Sequence, residues 1–150
     1  MILMTNAESQ FLLAEAKQRY AGVTLPLTAQ AYYEQGVKEA FRLTGTAASA
    51  ATTLLTSGID LSDWTASPDK LKAIWMQKWL ALTNYSGFEA WCEYRKNNFP
   101  VTPASASTAT NAPRPVRLFY PSGEVASNGE NVKAQGTIDV FATRLFWDVD

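Results

Sequence analysis

The chain has 150 residues, 47% of them hydrophobic and 18% charged, which suits one folded domain with a proper core rather than a disordered segment. Its 13 basic and 14 acidic side chains leave a net charge of -1, so no basic excess exists to neutralise phosphates, and nucleic acid is not an expected partner. There is no histidine and one cysteine, Cys92, which removes the raw material for zinc sites and for Ser–His or Cys–His nucleophile pairs; no metal and no cofactor are expected.

The start, Met1 to Thr5, has no basic n-region and is too short for a signal h-region, and no lipobox-like cysteine follows. No apolar run reaches membrane-spanning length. Taken alone, these features read as cytoplasmic.

The first helix is expected from about Asn6 to Tyr20. Ala7, Phe11, Ala14 and Gln18 lie on one stripe, widened by Leu12, Leu13 and Ala16. Thr5 followed by Glu8 fits a capping box, Gly22 a stop, and Pro26 a linker. Thr28 opens a second helix ending near Gly45. Ala29, Tyr33, Gly36, Val37, Ala40 and Phe41 recur at the three- and four-residue steps of a buried face. A glycine inside a helix costs about 1 kcal/mol relative to alanine, so Gly36 predicts a close helix–helix approach. Two antiparallel helices with a short connection resemble one tetratricopeptide unit.

Ala47 to Leu55 predicts a short helix, and Asp60 to Trp64 a turn. Ser67-Pro68 reads as the start of the third helix, which carries Leu71, Ile74, Trp75, Lys78 and Leu82 on one stripe and stops near Asn84. Ser86 to Glu89 has capping-box spacing and opens a fourth helix through Lys96, ended by Asn97 to Pro100. The span from Pro103 to Pro115 is Ala, Ser, Thr, Asn and Pro, an exposed loop by composition. Arg117 to Tyr120 is short and extended at best. A polar Gly/Asn segment follows, then an extended tail from Thr143 to Trp147.

Several stretches carry a family resemblance. Phe11 to Ala16 and Tyr33 to Val37 look like the helix pair that opens a tetratricopeptide-like unit. Ile74-Trp75-Met76-Gln77-Lys78-Trp79-Leu80-Ala81-Leu82 followed by Gly87-Phe88-Glu89-Ala90-Trp91-Cys92-Glu93-Tyr94-Arg95-Lys96 is similar to an "I-x-x-Q-K-W-x-A-L … G-x-E-A-W-x-E-x-R-R" pattern. Arg117-Leu118-Phe119-Tyr120-Pro121 with Glu124 and Asn128, and the end Arg144 to Asp150, resemble later segments of the same proteins. The chain thus resembles the C-terminal part of SusD/RagB-type proteins.

That resemblance implies a mainly α fold: tetratricopeptide-like pairs over residues 5–98 and an irregular, loop-rich segment over 99–150. It implies a non-enzymatic, glycan- or nutrient-binding lipoprotein of the outer membrane, partnered by a SusC-like TonB-dependent transporter. Relatives are several times longer and begin with a signal peptide and lipidated cysteine, so this chain is expected to be a fragment. The alternative is a helical protein–protein interaction module without a small-molecule ligand.

Individual residues are weighed against the same background. Glu89 and Glu93 share a helix face, but glycoside hydrolysis needs carboxyls facing each other across a cleft. Glu89 is read as the capping-box acid and Glu93 as a partner for Lys96 or Lys78. Trp75 and Trp91 are read as core, with Trp79 at the edge of the stripe. Trp64 and Tyr85 lie in connections where a ring reaches solvent, and are the two candidate ligand contacts. Gln77-Lys78 and Arg95-Lys96 are read as a solvated helix face, with a transporter-facing surface as the sharper alternative. Cys92 is read as a small buried apolar residue.

Overall fold

The computed structural model describes residues 3–102 and 115–148. The chain divides into two compact units, residues 1–101 and 102–150.

In the first unit, α1 (Asn6–Arg19) begins at Thr5, whose hydroxyl accepts from Glu8 N at 3.1 Å, as the capping spacing requires. After a turn, α2 (Ala29–Leu43) begins in the same way at Thr28, which accepts from Ala31 N. Asn6, at the start of α1, acts on the carboxylate of Glu39 near the end of α2, so the two helices run antiparallel. Their contact is built around Gly36. A Cβ placed there would sit 2.7–2.9 Å from the Phe11 ring, so only glycine lets that ring lie against the α2 backbone. Phe11 is fully buried and meets Tyr33 edge-on, with centroids 6.1 Å apart.

The short α3 (Ala48–Leu55) packs on α2 through Ala51 and Leu55. α4 (Lys70–Thr83) packs on α1 and α2 and contributes Ala73 and Ile74 to the core. α5 (Gly87–Asn97) packs on α4 and ends at Asn98 in the left-handed conformation, φ 48°.

The connection from α3 to α4 is organised by polar side chains. Asp63 accepts from the backbone N–H groups of Gly58, Thr65 and Ala66, and these bonds, the Gly58 one foremost, hold its carboxyl below the usual range. Leu61 adopts φ 63°, an uncommon conformation for a side chain branched beyond Cβ. It is fixed from three sides: Tyr33 donates to Ser62 O at 2.7 Å, Gln77 donates to Leu61 O at 2.9 Å, and Leu61 N donates to Ser67 Oγ at 2.9 Å.

Ser67 therefore does not cap a helix. It is wholly buried and staples the connection, and Asp69 caps α4 by accepting from Lys72 N at 3.1 Å. Pro68 precedes that cap instead of opening the helix. The second expected capping box also differs. Ser86 sits at the N-terminus of α5 but makes no capping bond, and Glu89 is exposed.

The second unit holds α6 (Ser122–Ser127) and α7 (Gly129–Ala134), where an irregular Gly/Asn segment was expected. Asn128 joins them and donates to Glu124 Oε1 at 2.6 Å. Arg117 to Tyr120 forms no strand, nor does any other described residue. The Ala/Ser/Thr-rich loop expected from Pro103 to Pro115 lies outside the described residues, apart from Pro115 itself. The fold of the described residues is mainly α, as expected.

Candidate ligand-binding site

A cavity of about 330 Å³ opens among the helices of the first unit. α2 supplies Val37 and Phe41, α3 Leu54, α4 Gln77 and Ala81, and the α4–α5 connection supplies Asn84 and Tyr85. The same three- and four-residue steps that bury Tyr33 and Val37 in the core turn Phe41 and Ala40 toward this space.

Tyr85, one of the two expected ligand contacts, stands at this cavity. It is half-buried, and its hydroxyl donates to Leu43 O at 2.8 Å, which fixes the ring between the end of α2 and the start of α5. Trp64, the other, is elsewhere in the same unit. It is half-buried, its ring centroid lies 5.2 Å from that of Tyr33, and Lys70 Nζ sits 5.4 Å from its centroid. Lys70 also donates to the carbonyls of Trp64 and Ser67. Trp64 does not line the cavity, so the structure does not join the two rings in one site.

Gln77 and Lys78 were read as a solvated face and are not. They are 7% and 1% exposed. Lys78 carries the clue in its own position, since it falls on the apolar stripe with Ile74 and Leu82. It lies 2.7 Å from Glu93 Oε1 and 3.8 Å from Glu15 Oε2, joining α4 to α5 and α1. Glu15 also pairs with Arg19 at 2.8 Å and Lys96 at 3.1 Å. Burial alone would raise the Glu15 carboxyl; the Lys96 charge and hydrogen bond, with the Lys78 charge, outweigh it and hold the group below its ordinary value. The buried Trp75 N–H has no acceptor in good hydrogen-bonding geometry, yet its dipole still acts on that carboxylate.

The remaining candidates divide. Glu93 partners Lys78, one of its two expected partners, while Glu89 stays exposed, so the two carboxyls do different things. Trp75 and Trp91 are half-buried rather than core. Arg19 lies 5.3 Å over the Trp75 ring and Arg95 lies 5.0 Å over Trp91. Trp79 is half-buried as well. Cys92 is half-buried rather than buried, and desolvation foremost raises its thiol pKa.

Helix pairs packed on one another, with a small cavity among them, give the first unit a mainly α architecture that fits the tetratricopeptide-like kind. The chain belongs to the SusD-like family described as starch-binding and associating with the outer membrane, which matches residues 1–121. No curated protein matches it. No helix among the described residues is long and apolar enough to cross a membrane.

Proposed function

We propose that this chain is part of a surface-exposed lipoprotein that captures glycans at the outer membrane and passes them to a SusC-like TonB-dependent transporter without chemically altering them. The observation that supports this reading is the SusD-like match over residues 1–121, which includes all five helices of the first unit. The family's starch-binding description makes α-glucans the first ligands to test.

Trp64 and Tyr85 are the proposed sugar contacts. Each offers one ring, and a ring supplies about 1–2 kcal/mol by area before loops are ordered around a ligand. Millimolar binding already requires about 4 kcal/mol, so this chain by itself binds glycans weakly. The test is calorimetry of the chain against starch, xylan, mannan and mucin-type oligosaccharides, together with co-purification of the full-length protein with a TonB-dependent transporter. Micromolar binding abolished by Trp64→Ala shows a complete site within these residues. A full-length protein that binds no glycan and copurifies with no transporter leaves the helical interaction module as the reading.

A further inference from the structure

The cavity beside Tyr85 has a chemistry that a sugar ring fits poorly. Val37, Ala40, Leu54 and Ala81 make its walls largely aliphatic. Most of the polar side chains around it already have partners. Thr44 and Thr46 hydroxyls lie 2.8 Å apart, and Thr44 also donates to Phe41 O. Tyr85 donates to Leu43 O, and Ser62 Oγ receives Gln77 Nε2 at 3.4 Å.

Gln77 differs from these. It is 7% exposed, and its amide is oriented by donation to Leu61 O at 2.9 Å, because a carbonyl can face only the nitrogen end. That leaves Oε1 as an acceptor, to which no described residue donates, and the atom is not among those sealed from all access. Oε1 is thus an accessible acceptor on a side chain otherwise 7% exposed, open to any small donor that reaches it.

The geometry points to a binding site for one small, apolar-bodied molecule that carries a single hydrogen-bond donor, of the size class of a phenol. Its donor bonds Gln77 Oε1 and its body lies against Val37, Leu54 and Ala81. A volume of about 330 Å³ is at the small end of ligand cavities, which start near 300 Å³. A hexose would bring several hydroxyls against largely aliphatic walls, where Gln77 Oε1 and the exposed Asn84 amide are the lining side-chain groups not already bonded to described residues, too few to meet them all. The glycan reading shares Tyr85 with this cavity but also rests on Trp64, which does not line it.

Phenol and toluene are suitable probes, because they share a shape and differ by one donor. The whole chain, methyl-labelled, is titrated with each and followed by NMR. Both probes should shift the Val37 and Leu54 methyl signals and give direct contacts to them, with phenol binding roughly tenfold more tightly, as one added hydrogen bond predicts. Gln77→Met keeps the bulk and should bring phenol down to the affinity of toluene while leaving toluene unchanged. Ala81→Phe fills the space and should abolish both. Because the comparison of the two probes in the unaltered chain is decisive alone, a variant that fails to fold does not blunt the test. Equal affinities in the unaltered chain, no binding of either probe, binding that survives in folded Ala81→Phe, or glucose shifting the same methyl groups more strongly than phenol would overturn the proposal. Polysaccharide binding by Ala81→Phe tests the glycan reading separately.

Discussion

The two units of the chain bury their apolar residues to very different degrees. Residues 1–101 place Phe11, Tyr33, Val37, Ile74 and Leu82 almost wholly out of solvent. Residues 115–148 bury no apolar side chain, and leave Phe119 68%, Phe146 88% and Trp147 64% exposed. Both segments contain helices, so local propensity does not separate them. The difference is length and period. α1, α2 and α4 run 14, 15 and 14 residues, long enough for an apolar stripe to recur over several turns and meet a neighbour. α6 and α7 run 6 residues each and present no such stripe. Cooperative stability thus belongs to the first unit, and perturbations should be ranked by how deeply they reach into it.

A large loss is expected from Lys78→Met. The methionine fills similar volume, but Glu15 and Glu93 remain behind with their shared cation removed, and breaking a buried pair costs about 3–5 kcal/mol. Urea unfolding at neutral pH measures it, and a loss under about 1 kcal/mol would show that water already solvates these carboxylates. The penalty should narrow in acid, where the Glu15 carboxyl takes up a proton.

Gly36→Leu comes next. Even the first carbon of the new side chain falls within 3 Å of the Phe11 ring, and Phe11, fully buried, has nowhere to move without shifting α1. Overpacking of this kind costs about 1–3 kcal/mol or more. An unchanged melting temperature would mean that the α1–α2 contact is not the one described. Asp69→Ala removes the α4 cap and should cost about 1 kcal/mol, whereas Ser86→Ala, at a helix start without a capping bond, should cost much less. Equal effects would contradict the difference between those two starts.

How much of this was legible in the sequence follows from the same physics. Gly36 was readable because a glycine inside a strong helical stripe has few explanations, and Thr5 and Thr28 because a cap depends on neighbours three residues away. Ser67 and Ser86 were misread as caps: the same residue type can serve a turn 6 residues distant, as Ser67 does for Leu61, and sequence spacing does not distinguish the two uses. Gln77 and Lys78 were taken as solvated because charge usually means surface. Their burial depends on Glu15, 63 positions earlier than Lys78, and on Leu61, partners that no local pattern reveals. The cavity was invisible for the same reason, since its walls come from three helices and three connections. Tyr85 was correctly placed on a connection, but nothing local indicated its bond to Leu43 O.

Acid should weaken the first unit through Glu15. Its carboxyl is held below the ordinary value in the folded chain, so the folded state binds a proton less readily than the unfolded one. The stability this contributes is complete above the ordinary glutamate range and is lost as pH falls through that range and then through the lowered folded value. Denaturation midpoints from neutral pH down to about pH 3 should therefore drop, and Glu15→Gln should flatten part of that drop while lowering the neutral-pH value. A Glu15→Gln profile parallel to that of the unaltered chain would assign the acid sensitivity to other carboxylates.

The smallest effect is expected in the second unit. Phe146 and Trp147 meet edge-on with centroids 4.5 Å apart, but both rings are mostly in solvent, so removing one deletes a single aromatic contact and little buried area. Phe146→Ser should change stability by no more than about 0.5 kcal/mol, the ordinary range for exposed sites. The same substitution made at Phe11 should cost several kcal/mol, since it removes the ring that fills the space against Gly36 and leaves a hydroxyl in an apolar core. Melting curves of the two variants side by side give the contrast directly. Should Phe146→Ser prove as damaging as Phe11→Ser, the tail would be part of the cooperative core, and stability would not be concentrated in residues 1–101.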